Sequence, residues 1–173
     1  EINYQIFPIQ DLAFRTILMF ESRLEKRNIT LEGLDSEPVQ VWGDPDLIGQ
    51  VIYNLFENAT KFVNTGGTIT FTFKDEPNST SIAIRNTGAG ISKEELPKIF
   101  ERFYKSDDSR SHDKTGLGIG LDITKHIVRL HKAQISVSSE EGEYTEFLIR
   151  LPKKDAPAES PTENPEKQPK DAR

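Results

Sequence analysis

Asn54, Asn58 and Lys61 recur at i, i+4 and i+7 in a stretch whose apolar residues Leu47, Ile48, Val51, Leu55, Ala59 and Phe62 follow helical spacing. At about 100° per residue the three share one stripe along the border of the apolar face. Amide oxygens on such a stripe, facing a groove, can hold a hard cation. Asn is a mediocre helix former, so a helix needing only a soluble outer face would carry Glu, Lys or Gln there. Taken alone, the stripe equally suits an ordinary amphipathic helix. Glu57 is expected to point well away from it.

Two glycine-rich segments come next. Asn86-Thr87-Gly88-Ala89-Gly90 directly follows an alternating segment, and its glycines allow the sharp turn and close backbone approach that a planar ligand needs. Lys114-Thr115-Gly116-Leu117-Gly118-Ile119-Gly120 opens a helical pattern, where free backbone N–H groups and the positive dipole end suit phosphate. Neither is a dinucleotide fingerprint or a P-loop, because the second segment's glycines are spaced two and two and no Gly-Lys-Ser/Thr closes it. Each segment alone is also an ordinary glycine turn.

The order is more specific than the parts. Asn-x-x-x-Asn-Ala-x-Lys-Phe on a helix, x-x-Gly-x-Gly-Ile after a strand, Ile99-Phe100-Glu101-Arg102-Phe103-Tyr104-Lys105, and Thr-Gly-Leu-Gly-x-Gly-Leu at a helix start appear in turn. Over about residues 1–152 the chain resembles the catalytic ATP-binding domain of sensor histidine kinases. These belong to the ATPase superfamily shared with type II topoisomerases, the ninety-kilodalton heat-shock chaperone and mismatch-repair ATPases. The resemblance implies a Bergerat-type fold, Mg²⁺ and ATP as cofactors, and transfer of the γ-phosphate to a histidine. Asn58 would hold Mg²⁺, with Asn54 near the phosphates or the metal's waters and Lys61 offsetting phosphate charge. Phe62 would stand near the adenine and Asn86 would accept from its amino group, while Gly88, Gly90 and Ile91 let the backbone pass the base. Phe100 and Phe103 would anchor a lid from which Lys105, with Arg110, reaches the phosphates. Thr115, Gly116, Leu117, Gly118 and Gly120 would form its hinge and the phosphate-facing helix start. Outside this order, Phe100 and Phe103 also read as helix-end packing.

Two positions depart from the family pattern. Asn86 replaces an Asp, giving an uncharged acceptor and a weaker bond to the adenine amino group, and Lys114 stands where a glycine often begins the second segment. None of His112, His126 and His131 lies in the setting of a phosphorylated histidine, so the implied acceptor is a histidine on a separate helical dimerisation domain, with a response regulator downstream. His126 and His131 read as helix-surface or packing residues. The clamp-like relatives that hydrolyse ATP carry a Glu at the position of Asn54, and an amide cannot activate water as that base does. Asn54 therefore argues for transfer over hydrolysis, and a non-catalytic nucleotide-dependent module stays open beside both.

The elements that must position these residues follow from periodicity and turn chemistry. Ile2, Tyr4 and Ile6 alternate as a short strand, and helical spacing from Leu12 predicts one helix to about Arg27. Ile29–Leu34 and Val39–Trp42 read as a hairpin with Trp42 in the core, and Asp44-Pro45 is an N-cap followed by proline for a helix to about Phe62. Thr68–Lys74 and Ser81–Asn86 form a hairpin, Ser92–Glu95 caps a short helix to about Phe100, and Lys105–Lys114 is a loop. A helix over Leu117–Leu130 and strands Gln134–Ser138 and Tyr144–Leu151 close the pattern. The fold class is α+β, a two-layer sandwich with a mixed, mainly antiparallel sheet covered on one face by helices.

The whole chain bounds these readings. Its 173 residues, 35% hydrophobic and 29% charged, suit one domain. The absence of Cys excludes disulfides, thiolate metal sites and a Cys nucleophile, and the net charge of -6 opposes nonspecific nucleic-acid binding. Lys153–Arg173 has no Val, Ile, Leu, Met or aromatic residue and is expected to be a disordered tail after a domain of residues 1–152. The first residue is Glu1 rather than Met, and the expectation is a monomeric cytoplasmic piece of a parent anchored in the cell membrane.

Overall fold

The computed structural model describes residues 1–100 and 117–157. Strand β1 (Gln5–Pro8) runs directly into helix α1 (Ile9–Met19), and α2 (Glu21–Lys26) follows after Phe20. Strands β2 (Thr30–Glu32) and β3 (Gln40–Gly43) precede helix α3 (Pro45–Phe62), and β4 (Thr68–Asp75) and β5 (Ser79–Thr87) follow it. A 3₁₀ turn at Leu96–Lys98, helix α4 (Leu117–Leu130), and strands β6 (Gln134–Glu140) and β7 (Tyr144–Pro152) complete the described elements. Five strands form one sheet in the order β2-β4-β5-β7-β6, antiparallel except for the β2–β4 pair, while β1 and β3 make a separate antiparallel ribbon.

The period-two pattern of β4, β5 and β7 sends Ile69, Phe71, Ile82, Ile84, Phe147 and Ile149 to one face, where they meet Ile48, Val51, Ile52, Leu55 and Phe56 of α3 in the buried core. Full burial of each such side chain is worth about 1.5–3 kcal/mol, so this face locks α3 in rotation. The other sheet face carries Arg85, whose Nε donates to Glu146 across the strands at 2.8 Å and whose guanidinium lies 3.9 Å from the Tyr144 ring centroid. The result is the α+β two-layer sandwich.

Both ends of α3 are fixed. The Asp44 carboxylate accepts from the N–H groups of Asn3 (3.0 Å), Asp46 (3.0 Å) and Leu47 (3.3 Å). Burial raises its pKa, but these three donors and nearby His131 outweigh it and hold the carboxyl below the ordinary value. The Asp44 N–H donates to His131 Nε2 at 3.1 Å, and His131 Nδ1 donates to the Ile127 carbonyl at 2.9 Å. A buried histidine after α4 thereby ties that helix to the start of α3; His126 is exposed.

Several sequence expectations change. Segments 29–34 and 39–42 do not form a hairpin: β2 pairs parallel with β4, and β3 pairs antiparallel with β1. The buried Gln10 amide explains this, bonding the Glu37 carbonyl (2.8 Å), Ser36 Oγ (3.3 Å) and the Val39 N–H (3.0 Å), which binds the connection to α1. The opening strand is Gln5–Pro8, and half-buried Trp42 stacks on Tyr4 at 4.3 Å instead of entering the core. The first helix breaks at Phe20, whose N–H bonds Ile17 in a tightened turn while its ring packs on Phe56. Ser92 does bond the Glu95 N–H (3.3 Å), but only the 3₁₀ turn follows, because Pro97 lacks a donor and tolerates only a first helical turn. Just after β7, the Lys153 N–H donates to the Asn78 carbonyl at 3.0 Å, and its ammonium pairs with Asp75 at 2.5 Å.

Candidate functional site

Helix α3 lies between the first glycine-rich segment and the start of α4. Its far end docks on the first: Val63 and Gly88 form an antiparallel bridge, and the Asn64 N–H donates to the Thr87 carbonyl at 3.4 Å. Gly88 has φ +147°, and a Cβ there would sit 2.3 Å from the Phe62 carbonyl oxygen. Gly90 has φ +71°, and a Cβ would meet the Glu140 carbonyl oxygen at 2.5 Å. These two positions require glycine so that the turn can press against α3 on one side and the end of β6 on the other. The middle of α3 docks on the first turns of α4: Asn54 Nδ2 faces the Gly120 carbonyl at 3.4 Å and Thr124 Oγ1 at 3.3 Å.

Asn58 is 8% exposed, and its Nδ2 has no hydrogen-bond partner. An unpaired buried amide costs about 1–3 kcal/mol, which a protein accepts where a ligand completes the site. The half-buried Lys61 is one turn on, and its ammonium lies 3.8 Å from Glu57, so Glu57 turns toward the stripe rather than away. Among the described residues no three His, Asp or Glu side chains converge to hold a metal. The unpaired Nδ2 is a hydrogen-bond donor and suits an acceptor such as a phosphate oxygen, while the Oδ1 of the same amide is the atom type that a hard cation keeping its waters would take.

Asn86 is 5% exposed at the end of β5, and its Nδ2 donates to the Thr87 carbonyl at 3.0 Å. Its Oδ1 is the end of the amide left to accept from a ligand. The sheet register sets Asn86 beside Thr145 of β7, and Thr145 beside Ser139 of β6. Thr145 is buried, with Oγ1 3.2 Å from Ser139 Oγ; Ser139 in turn accepts from the Ile91 N–H at 2.8 Å. Sequence reading missed this polar row beneath the glycine turn. The signal was present, since Thr145 shares the period-two face of Phe147 and Ile149, but which strands pair was not.

Phe100 is half-buried, with its ring edge-on to Phe147 at 6.2 Å and the Lys125 ammonium 5.8 Å away. Phe62 is half-buried where α3 meets Gly88, and Gly118 and Gly120 lie in the first turn of α4. Phe103, Lys105, Arg110, Lys114, Thr115, Gly116, the Lys105–Lys114 loop and His112 lie outside the described residues, as do residues 158–173 of the expected tail.

A family model described as histidine kinase-, DNA gyrase B-, and HSP90-like ATPase matches residues 43–155, from the end of β3 past β7. The chain belongs to this ATPase family. It is 33% identical over 153 residues to Sensor protein SrrB of Staphylococcus aureus, a match covering 88% of this chain and 26% of that protein. It therefore spans about a quarter of the length of the curated relatives it matches. The catalytic domain of histidine kinase ThkA in a nucleotide-free form superposes with a TM-score of 0.74 at 28% identity, covering 87% of this chain and 98% of that one. ThkA in complex with response regulator protein TrrA matches with a TM-score of 0.71 at 27% identity, covering 88% and 42%. No helix among the described residues is long and apolar enough to cross a membrane.

Proposed function

We propose that this domain binds Mg·ATP and donates the γ-phosphate to a histidine on a separate helical dimerisation domain, in two-component signal transduction. The observation that carries the reading is the Asn54–Asn58–Lys61 stripe of α3 held between the Gly88 turn and the start of α4, with Asn58 buried and its Nδ2 unpaired and free to donate to a phosphate. Asn58 would hold Mg²⁺, which neutralises charge on the phosphates when bound. Lys61 adds a cation to the phosphate side, Asn86 accepts from the adenine amino group, and Thr145 and Ser139 support it. Catalysis of this kind rests on positioning and charge neutralisation rather than on a protein nucleophile. Asn54, whose amide donates to Gly120 and Thr124, has no basic group with which to activate water, and this favours transfer to an external histidine over hydrolysis.

Lys105 and Arg110 belong to the same proposal as cations reaching the phosphates from a lid, and Phe103, Thr115, Gly116 and Leu117 as its anchor and hinge. The domain acts in the cytoplasm, where ATP is available, as a monomeric part of a membrane-anchored sensor, and a response regulator takes the phosphoryl group onward. The test is incubation with γ-labelled ATP and a histidine-bearing dimerisation domain. Acid-labile, alkali-stable phosphate on that domain is expected. Free phosphate without labelled histidine contradicts transfer, and intact ATP binding with neither product points to a non-catalytic module.

A further inference from the structure

Helix α3 ends without the left-handed glycine that commonly closes a helix: Val63 is extended, at φ -63° and ψ 137°. Its last carbonyls need other donors. The Val63 N–H serves Ala59 at 2.9 Å. The Arg27 side chain serves two more, Nη1 donating to the Thr60 carbonyl and Nη2 to that of Val63. The Phe62 carbonyl between them is the atom against which Gly88 packs. Arg27 is also tied through its own carbonyl, which accepts from the Gly66 N–H at 2.8 Å in the turn that leaves α3.

We propose that Arg27 is a positioning residue of the nucleotide site: its forked guanidinium sets the Thr60–Val63 backbone that aims Lys61 and Phe62 and forms the wall against which Gly88 turns. This rests on the nucleotide-binding reading. The two carbonyls lie three residues apart, and a planar fork can bond both in one fixed geometry, which an ammonium cannot reproduce. Its charge also opposes the negative end of the α3 dipole. Neighbouring Arg23 is an internal control, because its Nη1 donates to the Thr60 hydroxyl, at 3.2 Å, and not to the carbonyls.

The experiment compares Arg27→Met, Arg27→Lys and Arg23→Met with the unaltered chain, well below their melting temperatures, by Mg·ATP titration and amide NMR. Arg27→Met is expected to raise the Kd by about fivefold or more and to shift the amides of Lys61–Asn64 and Gly88. Arg27→Lys should restore less than half of the loss, and Arg23→Met should change the Kd by less than about twofold. A lowered melting temperature with unchanged Kd and unchanged amides in Arg27→Met overturns the proposal and leaves Arg27 as a stabilising cap. If the unaltered chain binds no Mg·ATP, the functional reading fails. The NMR comparison then decides on Arg27 alone: moved Lys61 and Gly88 amides keep its positioning role, and unmoved ones end it.

Discussion

Asn86 illustrates how one atom's partner changes a residue's meaning. The sequence comparison with an Asp makes it a weaker acceptor, but its Nδ2 donates to the Thr87 carbonyl at 3.0 Å. A carboxylate would set a second acceptor against that carbonyl. Asn86→Asp thus gains a charged acceptor and loses a hydrogen bond, two opposed effects of about 1 kcal/mol each. The clean test is Asn86→Leu, which removes the acceptor at similar volume. It should weaken ATP binding by about tenfold while leaving inorganic tripolyphosphate binding within about twofold. Equal weakening of both ligands would remove Asn86 from the base side of the site. The Asn54–Asn58–Lys61 stripe and the glycines stand out in the sequence because residue type and spacing alone mark them. Thr145, Ser139 and Arg27 do not, because their contacts come from a partner that only strand register or a helix end brings near.

At the scale of elements, α3 is the part most clearly written in the sequence. Asp44-Pro45 predicts its start and Phe62 its end, both as found. The β2 and β3 segments were misread because a strand's pattern names its faces and not its partner, and Gln10 bonds that settle the partner span more than twenty residues. The Asp44 cap carries a pH prediction. Its carboxyl has a lower pKa folded than unfolded, so the folded state binds fewer protons there and the cap's contribution is present above the unfolded value. That contribution is lost as pH falls from about 4 through the folded value. Asp44→Ala should cost about 1–2 kcal/mol at pH 7, and the gap between variant and parent should narrow below pH 4 in urea unfolding. A gap constant down to pH 2.5 would show that the carboxylate charge contributes nothing to the cap.

At the scale of the molecule, the sandwich serves the site by letting one helix touch everything. The sheet fixes α3 in rotation through the Ile52–Phe56 face, His131 and Asp44 fix its beginning, and Arg27 and the Gly88 turn fix its end. The polar stripe left over borders the core face: Asn54 docks on α4, Lys61 is half-buried, and Asn58 is buried with an unpaired Nδ2. Replacing Asn58 by Ala removes that unpaired group, so the variant should fold at least as well as the parent. This makes calorimetric titration with ATP, with and without Mg²⁺, on the parent and Asn58→Ala the most direct measurement. Micromolar to low-millimolar binding is expected, strengthened by Mg²⁺ in the parent and no longer strengthened by it in the variant. Undiminished Mg²⁺ enhancement in a folded Asn58→Ala, or no ATP binding by the folded parent, would contradict it.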